Sequence, residues 1–413
     1  MLVPRLARDG GHQPDQVRAR TVATAAFAAQ GASVAAVFTT VPGVTERLDL
    51  PPLVLTATLV GVALMAGAGS FAGLAAVRAV GPIATMRVAL LAVAAALVLV
   101  GWAPGQASAV SAYALFGLAI GGLDVSLNSR AAQVEQSCGR SIFGSFYAVW
   151  SLAGGLAALL TAALAGLHRP VSIILTAQAV LVLLVAIGIR SHRLPVTAGS
   201  VTPAQAPSAG PRTWVSLIPF GIVLAIVYVV DSAVSAWSSV FLHTTLTASL
   251  AVAPLAYAAY QVGTVSGRAM TDRCVHRWGS QTVVRGATVV TAVALLGLST
   301  AANWETAIAA AGLVGLGTSA LAPLCLASAA RLDHARPEEM LARLNLFNYC
   351  GVIAGGAASG LLGSGGHFRL AYAAPAALAI PLLIAARHFS PTSAPPRPVV
   401  ATVDRTEATT RAS

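Results

Sequence analysis

The chain has 413 residues, of which 56% are hydrophobic and only 9% are charged, and its mean hydropathy is +0.77. Soluble domains carry about 25% charged residues, so this composition excludes a water-soluble fold and indicates an all-α integral membrane protein. All 25 basic residues are arginines, which argues against a P-loop ATPase and a Schiff-base enzyme because both need a lysine.

Cysteines and histidines show no spacing typical of a metal site or a catalytic centre. The four cysteines contain no CxxC pair and are predicted to be free thiols. The eight histidines are scattered, mainly in predicted loops and termini, without an HExxH pattern. We therefore expect no enzyme activity, no metal and no cofactor.

Apolar windows of about 20 residues, the length that crosses a bilayer, predict twelve transmembrane helices. Residues 1–20 are predicted as a cytoplasmic N-terminal tail. Residues 21–190 then form an N-terminal six-helix bundle, whose helices begin near Thr21, Leu53, Val88, Ala107, Ile142 and Val171. Residues 191–213, rich in Pro, Ala, Ser and Gly, read as a flexible cytoplasmic linker.

The second half of the chain repeats this organisation. Residues 214–388 are predicted as a C-terminal six-helix bundle, with helices that begin near Trp214, Leu250, Thr282, Glu305, Ala342 and Leu370. Residues 389–413 are predicted as a cytoplasmic tail. The predicted fold is two pseudo-symmetric six-helix bundles.

Arginine positions predict the orientation of these helices. With both termini in the cytoplasm, the predicted outer segments contain only Arg47, Arg169 and Arg369 of the 25 arginines, as the positive-inside rule requires. The net charge of +11 is then explained by topology and contact with anionic lipids, without a nucleic-acid partner. We expect a multi-pass protein of the plasma (inner cell) membrane.

The predicted fourth helix carries acids where hydrocarbon is expected. Asp124 and Asn128 lie four residues apart and share one helix face, and Glu135 follows three turns later at the cytoplasmic edge with Arg140. A central Asp costs roughly 2.5 to 3.5 kcal/mol to insert, so it usually faces a cavity or a partner. Asp124 is therefore a candidate for binding a proton or solute, or else a structural residue. Glu135 and Arg140 are more consistent with structure or gating.

The predicted seventh helix contains a second buried acid. Tyr228, Asp231, Ser235 and Ser238 follow one another at spacings of three, four and three residues, which places them on one face. Asp231 is therefore the other candidate for a proton or a substrate hydroxyl. The alternative is that it only joins helices by hydrogen bonds.

The fifth, eighth and eleventh predicted helices each carry a cluster of uncharged polar residues. Taken singly, each cluster is more typical of helix packing than of binding. Together with the two acids, they predict one solute cavity between the bundles, with the additional binding candidates Tyr147, Trp150, Ser151, Tyr260, Gln261, Asn345, Asn348 and Tyr349.

The segment from Tyr260 to Arg285 resembles the signature loop of the major facilitator superfamily. It contains Gly263 and Gly267, followed by the polar residues Arg268, Asp272, Arg273 and Arg277. The resemblance implies that the glycines allow close helix contact and that the Asp and its arginine partners form a charge relay that stabilises one access state. The first-half copy keeps glycines but lacks the acidic residue.

A narrower resemblance, carried by GGLDVSLN, SFYAVWSLAGG and DSAVSAWSSVFL, is to the YbjJ-like branch, related to fucose-permease-type sugar transporters. This chain has Tyr147 where the branch usually has His, and it has Asp231 and Ala236 where the branch usually has Glu and Asp. The departures put proton coupling through that His in doubt and leave Asp231 as the acid of the seventh helix.

These features predict a monomeric secondary transporter that works by alternating access, with the bilayer, protons and a small polar solute as its partners. Buried carboxylates are costly to ionise, so Asp124 or Asp231 is suited to carry a proton. The solute is expected to be sugar-like or another organic compound. The alternative is proton-antiport efflux of amphipathic drugs, with Trp150, Trp237 and the tyrosines as an aromatic lining.

Overall fold

The computed structural model describes residues 12–138, 142–189, 211–330, 332 and 337–389, and the regular secondary structure of these residues is helical. The first half contains α1 (His12–Leu48), α2 (Pro52–Val80), α3 (Pro82–Gly101), α4 (Gln106–Cys138), α5 (Phe143–Gly166) and α6 (Val171–Gly188). The second half begins with α7 (Pro211–Thr244), α8 (Pro254–Trp278), α9 (Ser280–Thr300), α10 (Trp304–Thr318) and α11 (Leu321–Ala330). It continues with α12 (Pro337–Ser364), α13 (Phe368–Ala377), α14 (Ala379–Ala385) and the 3₁₀ turn Ala386–His388.

Within these described ranges, eleven segments are long and apolar enough to cross a membrane. α10 with α11 forms one of them, and α13 with α14 forms another. α8 is missing from the eleven because it carries three arginines and an aspartate in 25 residues. α8 nevertheless packs against α5, α7 and α10 as a member of the helix bundle. With α8 as the twelfth membrane helix, the predicted twelve-helix, all-α membrane architecture is confirmed.

Three helices begin at least five residues earlier than hydropathy predicts. α1 begins at His12, nine residues before the expected start at Thr21, α3 begins at Pro82 rather than near Val88, and α12 begins at Pro337 rather than near Ala342. A helix of 37 residues is about 55 Å long, well beyond a hydrocarbon core of roughly 30 Å. A hydropathy window detects only the part of such a helix that crosses hydrocarbon. The predicted tail over residues 1–11, most of the linker and the C-terminal tail lie outside the described residues.

The two halves of the chain pack their helices in corresponding pairs. α2 packs on α4 and α1 on α5 in the first half, while α8 packs on α10 and α7 on α12 in the second. Small residues bring these pairs close together. A methyl group on Gly73 would come within 2.7 Å of the Gly122 Cα, and one on Gly263 would collide with the Gly312 carbonyl. Both halves of the chain therefore use glycine for the same helix contact.

The bundles meet tightly at the end that holds the α1–α2 and α7–α8 connections, which we call the closed end. There an apolar cluster crosses the bundle boundary, with Val41 and Leu59 of the first bundle against Trp237 and Phe241 of the second. A smaller cluster joins α1 and α5 to Tyr257 of α8. These clusters exclude water from this half of the bundle boundary.

The opposite end, where α1 begins and α8 ends, is called the open end. The bundle contacts run through α1, α2 and α5 on one side and α7, α8 and α12 on the other. In the described part of the chain, no helix of the second bundle packs extensively against α4. Tyr147 of α5 and Tyr349 of α12 are 40% and 43% exposed, so their rings are not enclosed by a bundle boundary.

Candidate solute and proton site

Two acidic side chains lie near the middle of their helices in opposite bundles. Asp124 falls close to the midpoint of α4 and Asp231 close to that of α7, and both are half-buried. Tyr228, one turn from Asp231, lies within electrostatic range of both carboxylates. The two predicted acids therefore belong to one central site at the bundle boundary.

Asp124 is surrounded by neutral hydrogen-bonding groups. The Gln30 side chain of α1 donates to the Asp124 Oδ1 at 3.3 Å, and the Asn128 amide donates to the Asp124 backbone carbonyl at 2.9 Å. The Tyr147 hydroxyl in turn donates to the Asn128 Oδ1 at 3.2 Å. No arginine forms an ion pair with Asp124 among the described residues, so its ionised form depends on dipoles alone.

Asp231 has a different set of neighbours. Its Oδ1 accepts a hydrogen bond of 2.5 Å from the Tyr260 hydroxyl of α8. Arg268 is close enough to act on Asp231 electrostatically. Asp231 and Arg268 do not form a contact ion pair, because the guanidinium is directed elsewhere.

Arg268 instead links the two bundles. Its guanidinium donates to the Tyr147 carbonyl and to the Ser151 Oγ of α5, both at 3.2 Å. This contact explains why Ser151 is buried although it is polar. Arg268 therefore lies between the central acids and the open end, in contact with two residues that we predicted for solute binding.

The other predicted gating residues of α8 are separate from Arg268. Asp272, Arg273 and Arg277 are exposed, and the Arg277 guanidinium stacks 5.9 Å from the centre of the Trp278 ring. Within the described ranges, Asp272 makes no ion pair with these arginines. The charge relay implied by the signature loop is not formed in this conformation, and its gating role stays a prediction.

Glu135 stabilises the connection between α4 and α5. Its carboxylate accepts hydrogen bonds from the backbone N–H groups of Ile142 and Phe143, at 2.7 and 3.0 Å. A carboxylate at a helix N-terminus satisfies free donors and complements the helix dipole. This geometry gives the half-buried Glu135 a structural role within the first bundle. Arg140 lies outside the described residues, and the gating role of both residues stays a prediction.

Some of the remaining predicted binding residues pack between helices, and the others lie on the open side of the site. Gln261 donates to the Tyr257 hydroxyl at 2.9 Å and lies against Gly154, in the wall between the bundles. Trp150 packs on the core of the first bundle, and Ser235 is buried in α7. On α12, Asn348 is half-buried and Tyr349 is exposed, and the Asn345 side chain lies outside the described residues.

A cavity of about 160 Å³ lies beside the central acids, towards the closed end. Its walls come from α1, α2, α4, α7 and α12 and are formed by Val34, Phe38, Leu59, Val60, Val62, Ala63, Ala66, Phe116, Ile120, Ser232, Ala236, Trp237, Val352, Ile353 and Gly356. None of the predicted binding residues is among them. The predicted polar groups form one side of the site, and this apolar space forms the other.

Two parts of this arrangement were missed by sequence reasoning. Gln30 is an isolated amide in the alanine-rich first helix, and a polar residue in hydrocarbon is itself a signal. Glu46 and His243 approach to 2.7 Å at the closed end. They are 197 residues apart in sequence, and no local pattern connects them.

Comparison with protein families supports this architecture. A family model described as the Major Facilitator Superfamily matches residues 220–412. An uncharacterized MFS-type transporter of Yersinia pestis is 27% identical over 279 residues, which cover 66% of this chain and 70% of the relative. An uncharacterized transporter of Sinorhizobium fredii is 26% identical over 66% of this chain and 72% of its own length.

Solved structures show the same fold at low sequence identity. A crystal structure of the nucleoside transporter NupG aligns with a TM-score of 0.71 at 12% identity, over 91% of this chain and all of that one. A bacterial homolog of the human lysosomal transporter Spinster, in an inward-facing and occupied conformation, aligns with a TM-score of 0.67. It is 13% identical over 91% of this chain and 96% of its own.

Proposed function

We propose that the chain is a secondary transporter of the major facilitator superfamily rather than an enzyme, because that family's model matches residues 220–412 and the proteins that align with the chain are transporters. It moves a small solute by alternating access and couples this movement to protons. The observation that carries the proposal is the pair Asp124 and Asp231, two half-buried acids on opposite bundles that share the neighbour Tyr228.

Proton coupling follows from how these acids are stabilised. Neither carboxylate has a contact ion pair in the described part of the chain, and burial of an unpaired charge is expensive. Each acid is therefore suited to bind a proton when its surroundings are closed and to release it when water enters. Asp124 and Asp231 lie on different bundles, so a rocking motion changes the surroundings of both.

Alternating access is supported by the unequal packing of the two ends. The closed end is sealed by apolar clusters that span both bundles, whereas α4 and its acid are left uncovered by the second bundle. The placement of the arginines supports a cytoplasmic location for the open end and for both termini. The conformation is then inward-facing, the state in which the bacterial Spinster homolog was crystallised.

The cellular setting completes the proposal. The protein resides in the plasma membrane and works as a monomer, because the central site is assembled from the two bundles of one chain. Its partners are protons, the lipid bilayer and a small solute. The assignment to the YbjJ-like branch stays a prediction.

Efflux of amphipathic compounds is the second candidate function. The observation that favours it is the apolar cavity, which contains Phe38, Phe116 and Trp237. Trp150 does not contribute to such a lining, because it packs on the core of the first bundle. The aromatic lining is therefore different from the one that the sequence suggested.

A transport screen in proteoliposomes tests the proposal and separates these candidates. Purified protein is reconstituted, and the uptake and export of sugars and of cationic drugs are measured with and without a pH gradient. Uptake of a polar solute that the gradient accelerates supports the first candidate, and gradient-driven drug export supports the second. Solute movement that ignores the gradient in both assays would refute proton coupling.

A further inference from the structure

The apolar cavity and the central acids are neighbouring parts of one space. On α4, Phe116 and Ile120 of the cavity precede Asp124, and on α7, Ser232 and Ala236 follow Asp231. Residues four apart lie on one helix face, so Ile120 is stacked directly on Asp124 along α4. The apolar cavity therefore adjoins the polar groups around Asp124 and Asp231.

The cavity walls offer almost no hydrogen bonds to a solute. The indole Nε1 of Trp237 already donates to the Gly356 carbonyl at 3.1 Å. That leaves Ser232 as the one polar side chain of the lining with a free hydrogen-bonding role. A hydroxyl-rich solute in this space would leave its polar groups without partners, at a cost in binding free energy.

The size of the cavity limits what fills it. Its volume is about 160 Å³, and an engineered apolar cavity of roughly 150 Å³ in another protein stays dry and binds benzene. One six-membered apolar ring or a branched alkyl group of that size fits, while a fused ring system does not. The cavity therefore selects by size as well as by polarity.

We propose that the transported solute carries one ring-sized apolar group, which enters this cavity, joined to a hydroxyl- or amine-bearing part that contacts the Asp124 and Asp231 groups. The inference rests on the proposed function, because it assigns the substrate class of the same central site. It narrows the sugar-like or other organic solute expected from sequence to a small amphipathic one.

Matched pairs of probes test this class. Methyl β-glucoside and phenyl β-glucoside form a hydroxyl series, and methylamine and benzylamine form an amine series. Binding of each probe to the purified full-length protein is measured by calorimetry in detergent, with no pH gradient. One or both phenyl-type probes should bind at least tenfold more tightly than their methyl partners, as expected for an apolar group in a fitted pocket.

Variants of the cavity wall locate the effect. Ala63→Phe fills the cavity and should abolish the preference for the ring, whereas Ala95→Phe, at an exposed position of α3, should leave it intact. Leu59→Ala enlarges the cavity and should raise the affinity for naphthyl β-glucoside relative to phenyl β-glucoside. This variant keeps the test decisive if Ala63→Phe fails to fold.

The series that binds identifies the polar part of the solute. Equal affinities within both pairs, no binding by any probe, or a ring preference that Ala63→Phe and Leu59→Ala do not change would overturn the inference. Ring-selective binding without gradient-driven flux would instead refute proton coupling and leave the substrate class standing.

Discussion

Glu46 and His243 hold the closed end together, with the Glu46 Oε1 and His243 Nε2 atoms 2.7 Å apart. Glu46 lies at the end of α1 and His243 at the end of α7, so the contact joins the two bundles. The other ring nitrogen of His243 lies 2.7 Å from the Ala248 carbonyl. The imidazole is thus fixed by the α7–α8 connection and directed at the first bundle.

Loss of this contact should shift the protein towards opening at the closed end. A single hydrogen bond or an exposed ion pair contributes about 1 kcal/mol, so Glu46→Gln or His243→Gln should raise the outward-open population by no more than about fivefold. The measurement is the rate at which a membrane-impermeant thiol reagent, added at the closed end, labels Ser232→Cys in an otherwise cysteine-free protein. Glu305→Gln, an exposed acid at the same end, is the control, and equal labelling in all variants would contradict this role.

The hydrogen bond from Tyr260 to Asp231 should support both stability and coupling. Tyr260→Phe removes the donor, and a lost hydrogen bond to a charged group costs about 1.5 to 3 kcal/mol. Thermal unfolding and gradient-driven uptake should both fall. Tyr372→Phe is the matched control, because the Tyr372 hydroxyl is buried without a hydrogen-bond partner in the described part of the chain. Equal behaviour of the two variants would show that the bond is unimportant.

Close packing of α8 on α10 predicts that Gly263 tolerates no side chain. Gly263→Ala would push a methyl group into the Gly312 backbone, and overpacking typically costs about 1 to 3 kcal/mol. Gly286→Ala in α9 has open space around the new methyl group and should be neutral or slightly stabilising, since Ala is the better helix former. Thermal unfolding in detergent compares them, and a harmless Gly263→Ala would contradict the packing.

The fold was predictable because each membrane helix is specified by the hydrophobicity of its own segment of sequence. Hydrophobic length sets the helices, and even the polar α8 was predicted from a window that begins near Leu250, four residues before its start at Pro254. The central acids were also predictable, since neither Asp124 nor Asp231 has an opposite charge within one turn of its helix. A costly residue in hydrocarbon is informative without any knowledge of its partners.

The partners of these residues were not predictable, because they come from distant helices. The resemblance to the signature loop implied that Asp272 pairs with its arginine neighbours, among them Arg268. Instead Arg268 donates to α5, 121 residues away, while Asp272 is exposed to solvent. The apolar cavity was missed for the same reason, since its walls combine residues of five helices that look individually like ordinary lipid-facing or packing positions.

The central claim is that Asp124 and Asp231 couple solute movement to protons. The most direct measurement is pH-gradient-driven uptake, in proteoliposomes, of the solute that the wild-type protein transports, by Asp124→Asn and Asp231→Asn and by the control Glu305→Gln at an exposed acid. Both buried variants should insert and fold normally but lose gradient-driven uptake, while the control keeps it. Normal gradient-driven uptake by both buried variants would contradict the account.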